Sequence, residues 1–202
     1  MEKKLSEQYE ALNKLAEPGG TVIMGGRSDL GLPLGELKQA FGLEDNLYNR
    51  SVDNLSVRNA AGVYDACIAQ LAPSVLLLHI GEEDRALFQE ESGEFDRGCR
   101  ELVSHIRSMT PGCEVVMVSQ ELPDAPGEME SVRELNRHLK YIAESEQCRY
   151  EDISSKHVWN PDQTKEVVAF VRSVGFVRPL RQKKPVYDLV RILYGYQDGE
   201  TA

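Results

Sequence analysis

The chain has 202 residues, of which 41% are hydrophobic and 28% are charged, and its formal net charge is −10 at pH 7. These values predict a single globular domain, and the acidic balance argues against a nucleic-acid partner because phosphate contacts dominate that kind of binding. No apolar run approaches the ~20 residues of a membrane-spanning helix, and the N-terminal stretch lacks the apolar core of a secretory signal. We therefore expect a cytoplasmic protein that does not bind membranes.

The first part of the chain alternates predicted helices with short apolar strands. Apolar residues recur at three- and four-residue steps up to Pro18, which predicts an amphipathic helix over residues 1–18. The run TVIMGG (21–26) is typical of a buried strand that ends in a tight glycine turn. A helix (33–41), a strand (46–49) and a second helix (57–71) follow in that order.

The strongest strand prediction is SVLLLHIG (74–81), because consecutive apolar residues indicate a strand covered on both faces. After it come a helix (94–109), a strand (114–120), a helix (129–142), a strand (149–153) and a helix that starts at Asn160-Pro161. This alternation predicts the α/β class, as a three-layer α/β/α sandwich around a mostly parallel five-stranded sheet.

The predicted α/β domain covers residues 19–175, with the helix of 1–18 packed on it. Residues 176–202 form a C-terminal extension that we expect to belong to the same domain. The extension is basic, and its basic stretch runs over 172–191, with Arg172, Arg178, Arg181, Lys183, Lys184 and Arg191 against Asp188 alone. The extension's apolar spacing favours docking on the body over the alternative, a surface offered to a protein partner.

The four cysteines show neither CxxC spacing nor a Cys/His cluster. They are Cys67, Cys99, Cys113 and Cys148. We therefore expect reduced, buried thiols, with no metal site and no cofactor.

Ligands of open parallel sheets bind beyond the carboxyl ends of the strands, which directs attention to residues 25–29, 49–54, 81–84 and 154–160. In order and placement these segments resemble the conserved blocks of the SGNH (GDSL-type) hydrolases, over roughly residues 20–172. Gly26-Arg27-Ser28 stands where that family has Gly-Asp-Ser, and Asn49-Arg50-Ser51 stands for Asn-Arg-Gly. Gly81-Glu82-Glu83-Asp84 is similar to Gly-x-Asn-Asp, and Ser154-Ser155-Lys156-His157 to Asp-x-x-His.

The resemblance implies hydrolysis of a small ester, such as a short-chain acyl or O-acetyl ester, through an acyl-enzyme. Ser28 would be the nucleophile and His157 the general base, since histidine can accept the serine proton at neutral pH. Ser51 would keep a backbone amide for the oxyanion hole. Glu83 replaces the oxyanion asparagine, and an ionised carboxylate can only accept hydrogen bonds.

The last block lacks the family's aspartate, because Ser154 stands in its place. Asp152, Glu83 or Asp84 could take over the orienting role toward His157. Arg27 is expected to pair with Glu83 or Asp29, or to favour an anionic ligand. Because the blocks are altered, an SGNH-like domain that binds a ligand or protein without catalysis is the alternative function. A phosphate loop at Gly25-Gly26 is weakly supported, since neither standard nucleotide motif is present.

Overall fold

The computed structural model describes residues 2–41, 43, 46–123, 125–154, 190, 193 and 194. In these residues five strands alternate with five α-helices. The strands are β1 (Thr21–Met24), β2 (Leu47–Asn49), β3 (Val75–Leu78), β4 (Glu114–Val118) and β5 (Arg149–Glu151). The helices are α1 (Glu2–Asn13), α2 (Leu34–Phe41), α3 (Ala60–Cys67), α4 (Arg85–Met109) and α5 (Pro126–Ser145).

The five strands form one fully parallel sheet in the order β2-β1-β3-β4-β5, which confirms the predicted α/β class. Ile23 of β1 lies between Asn49 of β2 and Leu77 of β3. The chain runs outward from β1 to β2 and then returns past β1 to β3. The carboxyl ends of β1 and β3 therefore flank the point where the strand order reverses, which is the usual ligand position in open α/β sheets.

Alternate residues of the inner strands pack into two separate hydrophobic clusters. Val22 and Met24 of β1 face the larger cluster, which includes buried side chains from α1, α3, α4 and α5. Ile23 faces the second cluster, which contains Leu37 of α2. Burial on both faces explains why these strands are apolar at consecutive positions.

Some predicted boundaries differ from those of the structure. Helix α4 begins at Arg85 and not near residue 94, and it has a non-helical backbone at Glu91. Phe88 in its first part is buried and packs edge-on against Phe95 and His138, with ring centroids 5.5 and 4.9 Å away, so aromatic contacts hold this polar stretch on the core. The predicted helix over 57–71 is shorter in the structure, because α3 is followed by a separate 3-10 turn at Ala69–Leu71.

Three residues of the predicted C-terminal extension are described, and all three pack on the body. Val190 and Leu193 are buried in the second cluster, and Tyr194 packs against it. The predicted helix from Asn160 and the rest of the basic stretch lie outside the described residues. The division into three segments stays a prediction. None of the described helices has the length and apolar character needed to cross a membrane.

The four thiols are free in the structure, and three of them are buried. Burial raises the pKa of Cys113 to about 11, which keeps that thiol protonated at neutral pH. Cys148 is half-buried, and burial raises its pKa as well.

Candidate functional site

Ser28 lies in a short 3-10 turn, Arg27–Asp29, directly beyond the carboxyl end of β1. The side chain is exposed, as a nucleophile requires. Two backbone amides before it are held by neighbouring side chains. Gly25 donates to Ser51 Oγ at 3.1 Å, and Gly26 donates to Asp29 Oδ2 at 3.1 Å. Gly25 is needed, because an added Cβ would lie 1.9 Å from Oδ2 of the buried Asp29. At position 26 an added Cβ would lie 2.5 Å from Glu82 Oε2 and would displace the end of that side chain.

The groups that face Ser28 come from the turn after β3. The Ser28 hydroxyl donates to Glu82 Oε2 at 3.0 Å, and the Ser28 amide donates to the same oxygen at 3.3 Å. Two donors of the candidate nucleophile thus converge on one oxygen atom. A carboxylate oxygen therefore occupies the position in front of the Ser28 amide.

Glu82, and not the Glu83 expected at the oxyanion position, is the residue of this turn that contacts Ser28. Gly81 has φ +119°, so the chain turns sharply before these residues, and Glu83 is exposed while Glu82 reaches Ser28. Asp84 is buried and turns away from the serine, because both its carboxylate oxygens accept the Val57 amide at 3.1 and 3.2 Å. Burial raises the pKa of Asp84 to about 6.

Ser51 stabilises the turn that carries Ser28. Its hydroxyl accepts the Gly25 amide, and its own amide donates to Asn49 Oδ1 at 2.9 Å. The Asn49 side chain also donates to the Asp29 carbonyl at 2.7 Å. With its amide hydrogen engaged in this way, Ser51 braces the loops after β1 and β2, and its oxyanion role stays a prediction.

Arg27 forms an ion pair, but with a partner that differs from both predicted ones. Its Nε lies 2.6 Å from Asp53 Oδ1. Asp29 is instead committed to His79, whose Nδ1 lies 2.9 Å from Asp29 Oδ2. The guanidinium is largely exposed, so this pair fixes the loop weakly and leaves a cation at the rim of the site.

A buried polar cluster that includes Asp29, the residue after Ser28, joins three parts of the chain. Asp29 Oδ1 accepts the Tyr194 hydroxyl at 3.0 Å, and the Asp29 carboxylate also contacts His79 Nδ1. Burial by itself would lower the pKa of His79, but the charge and hydrogen bond of Asp29 outweigh it and raise that pKa. Burial also raises the pKa of Tyr194, which therefore stays a hydroxyl donor.

Asp152 lies at the end of β5 and closes the turn after it. Its Oδ1 accepts the Ser119 hydroxyl at 3.1 Å and the Ser154 amide at 2.8 Å. The side chain is exposed, on the same edge of the sheet as Ser28. His157 lies outside the described residues, so its pairing with Ser28 or Asp152 stays a prediction.

Sequence reasoning placed Ser28 correctly at the end of β1 but missed Glu82 as its direct partner. Two consecutive glutamates after a glycine give no signal for which of them faces the serine. The cluster of Asp29, His79 and Tyr194 was missed as well, since a histidine within an apolar strand is usually a core residue. The sequence signal that could have indicated this cluster is Asp29, a carboxylate directly after the candidate nucleophile Ser28.

Comparison with protein-family models and with curated proteins finds no match. Solved structures do match. A provisionally named platelet activating factor from Streptococcus pneumonia has a TM-score of 0.62 at 18% identity, over 75% of this chain and 73% of that one. A GDSL-like lipase from Bacteroides thetaiotaomicron has a TM-score of 0.57 at 13% identity, over 73% and 77%.

An acetylxylan esterase from Geobacillus stearothermophilus has a TM-score of 0.53 at 13% identity, over 69% of this chain and 78% of the esterase. Matching structures of that esterase include catalytic mutants in which a serine or a histidine is replaced by alanine. At these identities the likeness establishes the fold. The chain has the α/β fold of the SGNH (GDSL-type) hydrolases, as the sequence resemblance implied.

Proposed function

We propose that this protein hydrolyses small esters, with a short-chain acyl or O-acetyl group, and that Ser28 is its nucleophile. The observation that carries the proposal is the convergence of the Ser28 hydroxyl and amide on one oxygen, at 3.0 and 3.3 Å. A nucleophile beside a backbone donor for negative charge is the core requirement of acyl transfer. The position at the reversal of strand order supports the same reading.

In the proposed reaction Ser28 Oγ attacks the ester carbonyl carbon while His157 takes the serine proton. The carbonyl oxygen gains negative charge next to the Ser28 amide. When the ester C–O bond breaks, the alcohol leaves with the proton from His157. Water then gives a proton to His157 and attacks the acyl-Ser28 carbonyl carbon. The bond to Ser28 Oγ breaks, His157 returns the proton to Oγ, and the carboxylic acid is released. Asp152, on the same edge of the sheet, is the proposed partner of His157.

This site lacks two groups of a complete triad and oxyanion hole, because Ser154 replaces the orienting aspartate and Glu83 replaces the oxyanion asparagine. In serine proteases, loss of the orienting carboxylate lowers the rate about 10⁴-fold, and loss of one oxyanion donor lowers it about 10²–10³-fold. We therefore expect a slow enzyme toward activated short-chain esters. The proposed hydrolysis requires no cofactor.

A second function is favoured by one specific contact. Glu82 places a carboxylate on the Ser28 hydroxyl and amide, which suits a domain that binds a ligand or protein without catalysis. The two functions differ in whether Ser28 is chemically reactive.

Hydrolysis of an activated acetate ester and labelling by a fluorophosphonate test the proposal in the full chain. We expect slow turnover and one label per molecule, both lost in Ser28→Ala and in His157→Ala. Ser108→Ala is the matched control, because Ser108 is an exposed serine that donates to the His105 carbonyl on α4. Absence of turnover and of a Ser28 label would exclude hydrolysis and leave the binding domain.

A further inference from the structure

The Glu82 carboxylate lies where a substrate carbonyl oxygen would lie in the proposed hydrolysis. Its Oε2 accepts both the Ser28 hydroxyl and the Ser28 amide. A substrate carbonyl oxygen, or a carboxylate product, would have to accept the same amide hydrogen. Because an ionised carboxylate has only acceptors, Glu82 cannot donate to such an oxygen and repels it when it carries charge.

The surrounding backbone is shaped to admit this carboxylate. Glu82 directly follows Gly81, whose φ of +119° is a conformation that favours glycine. On the opposite side, Gly26 has no side chain, and a Cβ there would lie 2.5 Å from Glu82 Oε2. Gly81 and Gly26 thus leave the space in which the Glu82 side chain reaches Ser28.

The Glu82 charge is attracted to the neighbouring Arg27 guanidinium without a direct ion pair between them. Arg27 is adjacent to Ser28 in sequence, yet its Nε is directed to Asp53 at 2.6 Å. Within the described part of the chain, the Glu82 carboxylate accepts its hydrogen bonds from the Ser28 hydroxyl and the Ser28 amide. A half-buried side chain held by two hydrogen bonds, one of them 3.3 Å long, can be displaced by a ligand.

We propose that Glu82 is a built-in occupant of the oxyanion position, which excludes carboxylate ligands and slows acyl transfer to Ser28 until it is displaced. Glu82 is then the residue that sets which ligands the site accepts, since a neutral acyl ester competes with it better than an anionic one. The rate effect rests on the proposed hydrolysis. The exclusion of carboxylate ligands by Glu82 does not depend on hydrolysis, because it concerns only binding at the Ser28 amide.

The occupancy is tested with acetate as the probe and the Ser28 amide resonance of the ¹⁵N-labelled full chain as the readout. Glu82→Ala should bind acetate at Ser28 at least about tenfold more tightly than the unaltered chain, and Glu82→Gln should bind it more tightly as well. Glu90→Gln, an exposed carboxylate on α4, is the control that should change nothing. Equal acetate affinity in Glu82→Ala and the unaltered chain, or tighter binding from Glu83→Gln alone, would overturn the proposal.

The rate effect is tested with the activated acetate ester. Glu82→Gln should raise the rate by about 10- to 100-fold, because it removes the carboxylate and restores a side-chain donor of the kind worth about 10²–10³ in an oxyanion hole. A lower rate in both Glu82 variants would overturn the proposal and make Glu82 a base that assists Ser28. If no variant hydrolyses ester or is labelled, the proposed hydrolysis fails, and the acetate titration still decides on Glu82.

Discussion

The Oδ2 atom of Asp29 lies 2.9 Å from Nδ1 of His79, and both side chains are almost wholly buried, at 1% and 6% exposure. Asp29 is the residue after Ser28, and His79 follows β3. The same carboxylate accepts the Gly26 amide and the Tyr194 hydroxyl. This pair therefore links the candidate nucleophile's turn to the central sheet and to the C-terminal part of the chain.

Replacing Asp29 with asparagine should destabilise the fold strongly. Removing one partner of a buried ion pair typically costs about 3–5 kcal/mol, because the other charge is left uncompensated. Asp65→Asn is the matched control, since Asp65 pairs with His105 at 2.7 Å but is 46% exposed, and exposed pairs contribute about 0–1 kcal/mol. The free energy of unfolding in urea is the measurement. Equal losses in the two variants would contradict the importance of this pair.

The contribution of His79 to stability should depend on pH. Its pKa is raised above the usual ~6.5 by Asp29, so its stabilising proton is fully bound below that value and is lost as the pH rises through the higher folded pKa. His79→Gln keeps a side-chain donor toward Asp29 but does not titrate. The free energy of unfolding of the unaltered chain, minus that of His79→Gln, should therefore fall as the pH rises above about 6.5. A difference that stays constant or grows between pH 6 and 9 would contradict this sign.

Much of the sheet could be predicted from sequence, because continuous apolar runs such as that of β3 need cover on both faces. The position of Ser28 followed from the rule that loops at strand carboxyl ends meet. The contacts of the site did not follow. Tyr194 and Asp29 are 165 residues apart, and only the tertiary fold decides that they meet. Whether Glu82 or Glu83 faces Ser28 depends on the backbone angle at Gly81, which the residue type permits but does not fix.

Replacing Asp84 with asparagine should stabilise the protein at neutral pH. Burial raises the pKa of Asp84 from 3.8 to about 6, so the native state binds this proton more tightly than the unfolded state. The stability is then present at low pH and is lost as the pH rises from about 4 to 6. An asparagine Oδ1 still accepts the Val57 amide without burying a charge, and the gain expected at pH 7 is about 1–3 kcal/mol.

The gain in Asp84→Asn should disappear near pH 4, where the aspartate is protonated in the native state. Glu101→Gln removes a carboxylate that is 73% exposed, and the difference in stability between pH 4 and pH 7 should be the same in this variant as in the unaltered chain. Thermal unfolding of the three proteins across this range is the measurement. A variant that is less stable than the unaltered chain at pH 7 would mean that the Val57 contact needs the full negative charge.

Replacing Gly25 with alanine should damage both the fold and the candidate site. The added Cβ would lie 1.9 Å from Asp29 Oδ2, so the carboxylate would have to leave its position between the Gly26 amide and His79. Overpacking of this kind costs about 1–3 kcal/mol, and the shift of Asp29 would also move its neighbour Ser28. Gly35→Ala is the control, because nothing lies within 4 Å of its Cβ and alanine in a helix is favoured over glycine by about 0.5–1 kcal/mol. We expect Gly25→Ala to unfold at lower urea and to lose fluorophosphonate labelling even where it is still folded. Unchanged stability in Gly25→Ala would show that the turn can relax around the methyl group and that the Asp29 contacts do not hold it.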